Sequence, residues 1–113
     1  MNIIVVGCGR VGAELAYRLF INGHRVCVVD HSQGAFKNLP PDFRGRTMEG
    51  DVLSEAVLHR ADIAHADGLA AVTSSDSLNG VIGRVASAIY HVPIVVVRNY
   101  DPWRRGLVDA FGM

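Results

Sequence analysis

The sequence predicts an α/β domain, a doubly wound parallel sheet of five or six strands with helices on both faces. Three observations carry that expectation. Apolar runs such as Ile3 to Val6 and Ile94 to Val97 are continuous, with no in/out alternation, as strands covered on both faces require. Stretches with apolar residues at helical spacing separate these runs, which is the order of a sheet built from right-handed crossovers. Polar and glycine-rich segments follow the strands, where ligands sit in open α/β sheets: Gly7 to Gly12, Asp30, Gly50-Asp51, Thr73 to Asp76 and Arg98-Asn99. The arrangement is Rossmann-like, and all five points are expected to converge on one crevice.

Each element has its own local signal. The first strand, Asn2 to Val6, runs straight into Gly7-Cys8-Gly9-Arg10-Val11-Gly12. Val11, Leu15, Ala16, Leu19 and Phe20 then fall at helical spacing, and the pattern stops at Gly23, a good C-terminal cap. Val26 to Asp30 is the second strand. A short, weakly helical piece is expected from Ser32 to Leu39, then a break at Pro40-Pro41, then a third strand within Phe43 to Met48. Val52, Ala56, Val57 and Leu58 predict a helix beginning just after Asp51. Gly68 to Thr73 reads as the fourth strand, with Ser75 as N-cap of a long helix whose apolar face is Leu78, Val81, Ile82, Val85 and Ile89. Gly80 and Gly83 inside it cost up to about 1 kcal/mol each relative to alanine, which either close backbone packing or an indifferent surface position explains. Pro93 starts the fifth strand, Ile94 to Val97, and Asp101-Pro102 opens a last helix toward Phe111.

The glycine turn carries the chemistry. Gly7 permits the tight exit from the strand, Gly9 lets phosphates approach bare backbone, and Gly12 lets the helix lie close to the sheet. The helix that follows offers free N–H groups and a positive dipole end to a pyrophosphate. Asp30 stands 18 residues after Gly12, close to the spacing of a carboxylate that accepts hydrogen bonds from ribose hydroxyls, and its charge disfavours a 2′-phosphate. A nucleotide is therefore the expected ligand.

Composition sets bounds. At 113 residues the chain is one domain, and 11 basic residues balance 11 acidic ones, so the basic field of a nucleic-acid binder is absent. The apolar runs fall well short of the ~20 residues of a membrane helix, and no secretion signal is read, so no direct membrane insertion is expected. Cys8 and Cys27 have neither disulfide-scaffold density nor metal-site spacing, and reduced, cytoplasmic thiols are expected. Cys8, at a helix N-terminus, is read as a small residue filling the turn and not as a redox sensor. His24, His31, His59, His65 and His91 follow no ligand pattern, so no metal site is expected.

Together, Ile3-Ile4-Val5-Val6-Gly7-Cys8-Gly9-Arg10-Val11-Gly12, Val29-Asp30, Glu49-Gly50-Asp51, Ala71-Val72-Thr73-Ser74-Ser75-Asp76 with Asn79, and Val97-Arg98-Asn99 resemble one family along nearly the whole chain. It is similar to the RCK/KTN, or TrkA-N, nucleotide-binding domain of potassium channel and transporter regulators. The discriminating marks are the arginine in the glycine loop, the Gly-Asp after the third strand, and the Thr-x-x-Asp-x-x-Asn stretch. The resemblance implies a cytoplasmic regulatory module that binds NAD(H) or ATP/ADP and is not an enzyme. It implies homodimers or higher homo-oligomers, peripheral to the inner face of the membrane through a potassium channel or transporter subunit. On that pattern the backbone N–H groups of Arg10 and Val11 hold the phosphates and Asp30 takes the ribose, with His31 on the adenosine side. Asp51 and the backbone of Val52 meet the adenine edge, Thr73 and Ser74 line the far half, and Arg98 lies near the phosphates or the second nucleotide half. The Arg10 side chain either reaches toward phosphates or merely covers the helix start.

Family members normally continue into a sixth strand and a helix that crosses to a partner subunit. The expectation for this chain is a single unit ending before those elements, as a truncated or minimal form, with an exposed sheet edge. The alternative reading is the cofactor domain of an NAD-dependent dehydrogenase, for which no strand end after the fifth supplies an acid/base arrangement. A scaffold with a degenerate pocket is the third reading.

Overall fold

The computed structural model describes residues 1–98, and within them five parallel strands form one sheet in the order β3-β2-β1-β4-β5. The strands are β1 (Asn2–Val6), β2 (Arg25–Asp30), β3 (Arg46–Glu49), β4 (Gly68–Ala71) and β5 (Ile94–Val97). The helices are α1 (Arg10–Ile21), α2 (Glu55–Arg60) and α3 (Asp76–Ala88), with 3₁₀ turns at Gln33–Asn38 and Ile63–His65. The expected last helix, from Asp101-Pro102 toward Phe111, and Asn99 lie outside the described residues.

Strand β1 is central because both of its faces are apolar. Ile3 and Val5 point into a core closed by α1 through Ala13, Leu15, Ala16 and Leu19. Ile4 and Val6 point into the opposite core, closed by α2 and α3 through Val57, Leu58, Ile82 and Ala86. The two-sided burial expected of a continuous apolar run is therefore met in β1, with helices on both faces, whereas in β5 the residues Ile94 to Val96 are only half-buried and Val97 is exposed. Phe20 stacks edge-on against Phe43 at 5.3 Å, and the Tyr17 hydroxyl donates to Asp42 at 2.8 Å, which ties α1 to the loop before β3. Helix α1 ends in a Schellman turn: Gly23, at φ +90°, donates to the Phe20 carbonyl, and His24 donates to that of Leu19.

Several boundaries differ from expectation, each for a local reason. The helical piece after β2 is 3₁₀ and buries no residue. Strand β3 lies at Arg46–Glu49 instead of within Phe43 to Met48, because Phe43 folds back against Phe20 before pairing with β2 begins at Arg46. Helix α2 starts at Glu55, not directly after Asp51: the Asp51 carboxylate accepts the Leu53 N–H at 2.9 Å, which holds a turn, and Ser54 becomes the cap. Strand β4 stops at Ala71, two residues short of Thr73. The buried face of α3 is Asn79, Ile82, Gly83 and Ala86, whereas Val81 and Ile89 are exposed. Leu78, Ile82 and Val85 of the expected face do pack on the core, but small residues let α3 lie close to the sheet, so the contact turns toward Asn79, Gly83 and Ala86 and away from Val81 and Ile89. A Cβ on Gly83 would lie 2.4 Å from Val97 Cγ2, so close packing explains that glycine, while Gly80 faces open space.

Main-chain pairing continues past the carboxyl ends of the strands. Gly7 donates to the Val29 carbonyl at 2.8 Å, Val72 to Val6 at 2.9 Å, Gly50 to Asp30 at 3.0 Å and Arg98 to Ala71 at 2.9 Å. These four bonds hold the loops of that edge in register with the sheet.

Candidate functional site

The loop after β1 is shaped by what it must avoid. Gly7 adopts φ +103°, and a Cβ there would stand 3.0 Å from the Thr73 nitrogen. At Gly12 a Cβ would come within 1.8 Å of the Gly7 carbonyl oxygen, so the first turn of α1 rests directly on the loop. Gly9 is different in kind: its φ of −72° suits any residue, and a Cβ there would meet nothing within 4 Å. Protein packing gives no reason for a glycine at position 9, which lines a hollow.

Helix α1 begins without a side-chain cap and with no acidic residue in its first turn. By contrast, Ser54 caps α2 and Ser75 caps α3, each followed by an acid, Glu55 or Asp76. With Gly9 as N-cap, α1 forgoes only a few tenths of a kcal/mol relative to a serine cap, and its first N–H groups and dipole end are left without a side-chain partner beside the crevice.

Asp30, 8 % exposed, closes the loop from the other side. Its Oδ2 accepts the Cys8 N–H at 2.7 Å and its Oδ1 accepts the Ser32 N–H at 2.8 Å. Each carboxylate oxygen keeps acceptor capacity beyond these bonds. The exposed His31 places Nδ1 3.5 Å from Asp30 Oδ1. Cys8 is fully buried, and burial together with the Asp30 carboxylate pushes its thiol up to about 11. A helix N-terminus ordinarily lowers a thiol; here burial outweighs it, and Cys8 fills the turn as expected. Burial raises Cys27 as well.

Asn79 organises the far wall. It is fully buried, and its Oδ1 accepts from the Thr73 N–H at 2.9 Å and from the Thr73 hydroxyl at 2.6 Å. Its Nδ2 donates to the Thr73 carbonyl at 3.1 Å and the Arg98 carbonyl at 3.0 Å. One amide thus joins the ends of β4 and β5. The sequence marks Asn79 only through the Thr-x-x-Asp-x-x-Asn spacing, four residues after Ser75 and so one turn into α3, and gives it no role in the site.

These elements enclose a crevice of about 570 Å³, within the range of small-molecule sites. Gly7, Gly9, Arg10, Val11, Asp30, His31, Val52, Thr73, Ser74 and Arg98 all line it. Gly12 lies beneath the loop instead. Asp51 lines an adjoining hollow of about 440 Å³ with Glu49 and Gly50, and the two hollows share His31, Val52 and Leu78. The strand ends therefore converge on two joined hollows, not on one crevice. Among the described residues no group of three or more His, Cys, Asp or Glu is placed to hold a metal, and no helix is long and apolar enough to cross a membrane.

The TrkA-N domain family model matches residues 3–112. The Trk system potassium uptake protein TrkA of Streptomyces coelicolor is 38 % identical over 113 residues, covering 100 % of this chain and 51 % of that protein. The chain thus spans about half the length of that relative. Among solved structures, the TrkA-N domain of the inner membrane protein ybaL from Escherichia coli superposes with a TM-score of 0.77 at 21 % identity, covering 98 % of this chain and 82 % of the other. The Kef CTD of Shewanella denitrificans, in an AMP-bound form, gives a TM-score of 0.76 at 22 % identity, over 92 % of this chain and 62 % of the other. At these identities the two structures show the shared fold.

Proposed function

The chain belongs to the TrkA-N domain family, and from that premise we propose that it is the nucleotide-binding regulatory part of a potassium-transport protein. It binds an adenine nucleotide, NAD(H) or ATP/ADP, and catalyses no reaction. The observation that carries this reading is the uncapped start of α1 opening on a crevice whose other rim is Asp30. The Arg10 and Val11 N–H groups take the phosphates and Asp30 a ribose hydroxyl. The hollow beside Asp51 and Val52 is where an adenine ring fits, and Thr73, Ser74 and Arg98 form the other end. The AMP-bound Kef neighbour and the potassium-uptake relative support the ligand class and the process. We further propose that the module works as a homodimer or higher oligomer at the cytoplasmic face of a potassium channel or transporter subunit.

Regulation demands differential binding. A nucleotide shifts a conformational equilibrium only by the difference in its binding free energy to the two states. Calorimetric titration of the purified chain with ATP, ADP, NAD+ and NADH tests the reading. Saturable binding of at least one is expected, weakened at least about tenfold, or 1.4 kcal/mol, in Asp30→Asn. Failure of all four to bind would overturn it. Potassium flux through the assembled transporter that is identical with ATP and ADP, and with NAD+ and NADH, would overturn the regulatory part alone.

A further inference from the structure

A second hollow, of about 390 Å³, opens at the opposite end of the sheet, where β1, β2 and β3 begin. Three arginines line it, Arg25, Arg44 and Arg46, against one acid, Asp62, which is already held 2.7 Å from His65. In a chain whose charges balance overall, this is a local excess of positive charge.

Two of the guanidinium groups are pre-positioned by main-chain carbonyls. Arg44 Nη1 donates to the Pro41 carbonyl at 3.0 Å, and Arg46 Nη2 donates to the Arg60 carbonyl at 2.7 Å. Each such bond uses part of a five-donor fork and leaves the rest available. Among the described residues, no hydrogen bond or ion pair engages the Arg25 side chain. Tethered planar forks are the groups best suited to bidentate recognition of an oxyanion. Phe20, Ile4 and Val26 add an apolar wall.

We propose that this hollow is a second ligand site, distinct from the crevice at the carboxyl ends of the strands, and that it takes a small phosphate-bearing molecule through Arg25, Arg44 and Arg46. Three guanidinium groups against one paired carboxylate match a phosphate ester, whose charge near pH 7 is about −1.5 to −2, better than a monoanion. The apolar wall accommodates the organic part of the ligand.

Amide chemical shifts separate the two ends of the molecule. The ¹⁵N-labelled chain is titrated with inorganic phosphate and pyrophosphate, and with acetate at matched ionic strength. Saturable shifts are expected at Arg25, Cys27, Gly45 and Arg46 with the phosphates and not with acetate. In R44Q/R46Q, apparent affinity there falls at least about tenfold, as the loss of charge-assisted hydrogen bonds implies, while responses at Gly9, Arg10 and Val11 persist. Should that variant fail to fold, R25Q gives the same test without breaking any described contact. The proposal is overturned by shifts confined to the glycine loop, by an equal response to acetate, or by undiminished affinity in a folded variant.

Discussion

Gly9, at the N-cap of α1, and Gly12, in its first turn, sit three residues apart, yet alanine should act on them in opposite ways. At Gly12 the new methyl would lie 1.8 Å from the Gly7 carbonyl oxygen and 2.8 Å from the Gly7 carbonyl carbon, both main-chain atoms. That loop cannot retreat freely, because Gly7 is bonded to Val29 and Cys8 to Asp30. Overpacking of this kind costs about 3 kcal/mol, the upper end of the usual range. For a domain of this size that corresponds to a fall in Tm of roughly 10 °C. At Gly9 the methyl meets no atom, and φ −72°, ψ −166° is ordinary for alanine. A slightly poorer N-cap, costing a few tenths of a kcal/mol to about 1, is offset by a gain of about 0.4–1 from the stiffer unfolded chain. Stability should therefore stay within about 0.5 kcal/mol of the parent. Nucleotide affinity should not, because the methyl occupies the space over which phosphates approach the main chain, and a loss of at least tenfold, about 1.4 kcal/mol, is expected. Thermal unfolding followed by calorimetric titration of each variant measures both effects. Gly9→Ala binding nucleotide as tightly as the parent would refute the reasoning, as would Gly12→Ala with an unchanged Tm.

Asn79→Ala removes all four side-chain bonds of a fully buried amide and leaves the Thr73 N–H and the Arg98 carbonyl without it, so a loss of about 2–4 kcal/mol is expected in urea unfolding; a loss below 1 would show that water replaces the amide. In α3, Gly80→Ala should stabilise by about 0.5–1 kcal/mol, since nothing lies near its Cβ and alanine favours the helix. Gly83→Ala should destabilise by about 1–3 kcal/mol, since its Cβ would strike Val97, and thermal melts with the opposite order would contradict the packing described. The Cys8 thiol, raised from 9.0 to about 11, keeps its proton longer in the folded than in the unfolded chain. Its contribution is thus fully present below pH 9 and is lost as pH rises toward 11. Denaturant unfolding across that window should show a decline that Cys8→Ala reduces, and a native thiol reacting readily with a disulfide reagent at pH 7 would count against the burial.

What was legible in the sequence tracks where one physical signal dominates. The first three elements are legible within a residue or two, because the chain runs from a strand with four consecutive apolar residues into glycines with separate steric reasons and then into a helix stopped by Gly23. Strand β3 was misplaced because Arg46-Thr47-Met48-Glu49 lies at the sheet edge with no buried residue, so it shows no apolar run, while the nearby Phe43 does look like strand. The start of α2 was hidden by competition between Asp51 and Ser54 for the role of cap. Of the apolar face expected for α3, Ile82 is buried and Leu78 and Val85 pack against the core, but Val81 and Ile89 are exposed, because Asn79, Gly83 and Ala86 complete the contact and closeness of approach decides it as much as side-chain bulk. Ten of the twelve candidate site residues line a single crevice because a parallel sheet collects whatever follows its strands. The separate hollow at Asp51 depends on the turn that delays α2, which spacing alone does not reveal.

The most direct measurement is a crystal structure of the chain grown with ATP or NAD+. The expected result places phosphate oxygens about 2.7–3.2 Å from the Arg10 and Val11 nitrogens, with a sugar hydroxyl on Asp30. A nucleotide bound away from the glycine loop, or a loop hollow filled by the protein's own side chains, would contradict it.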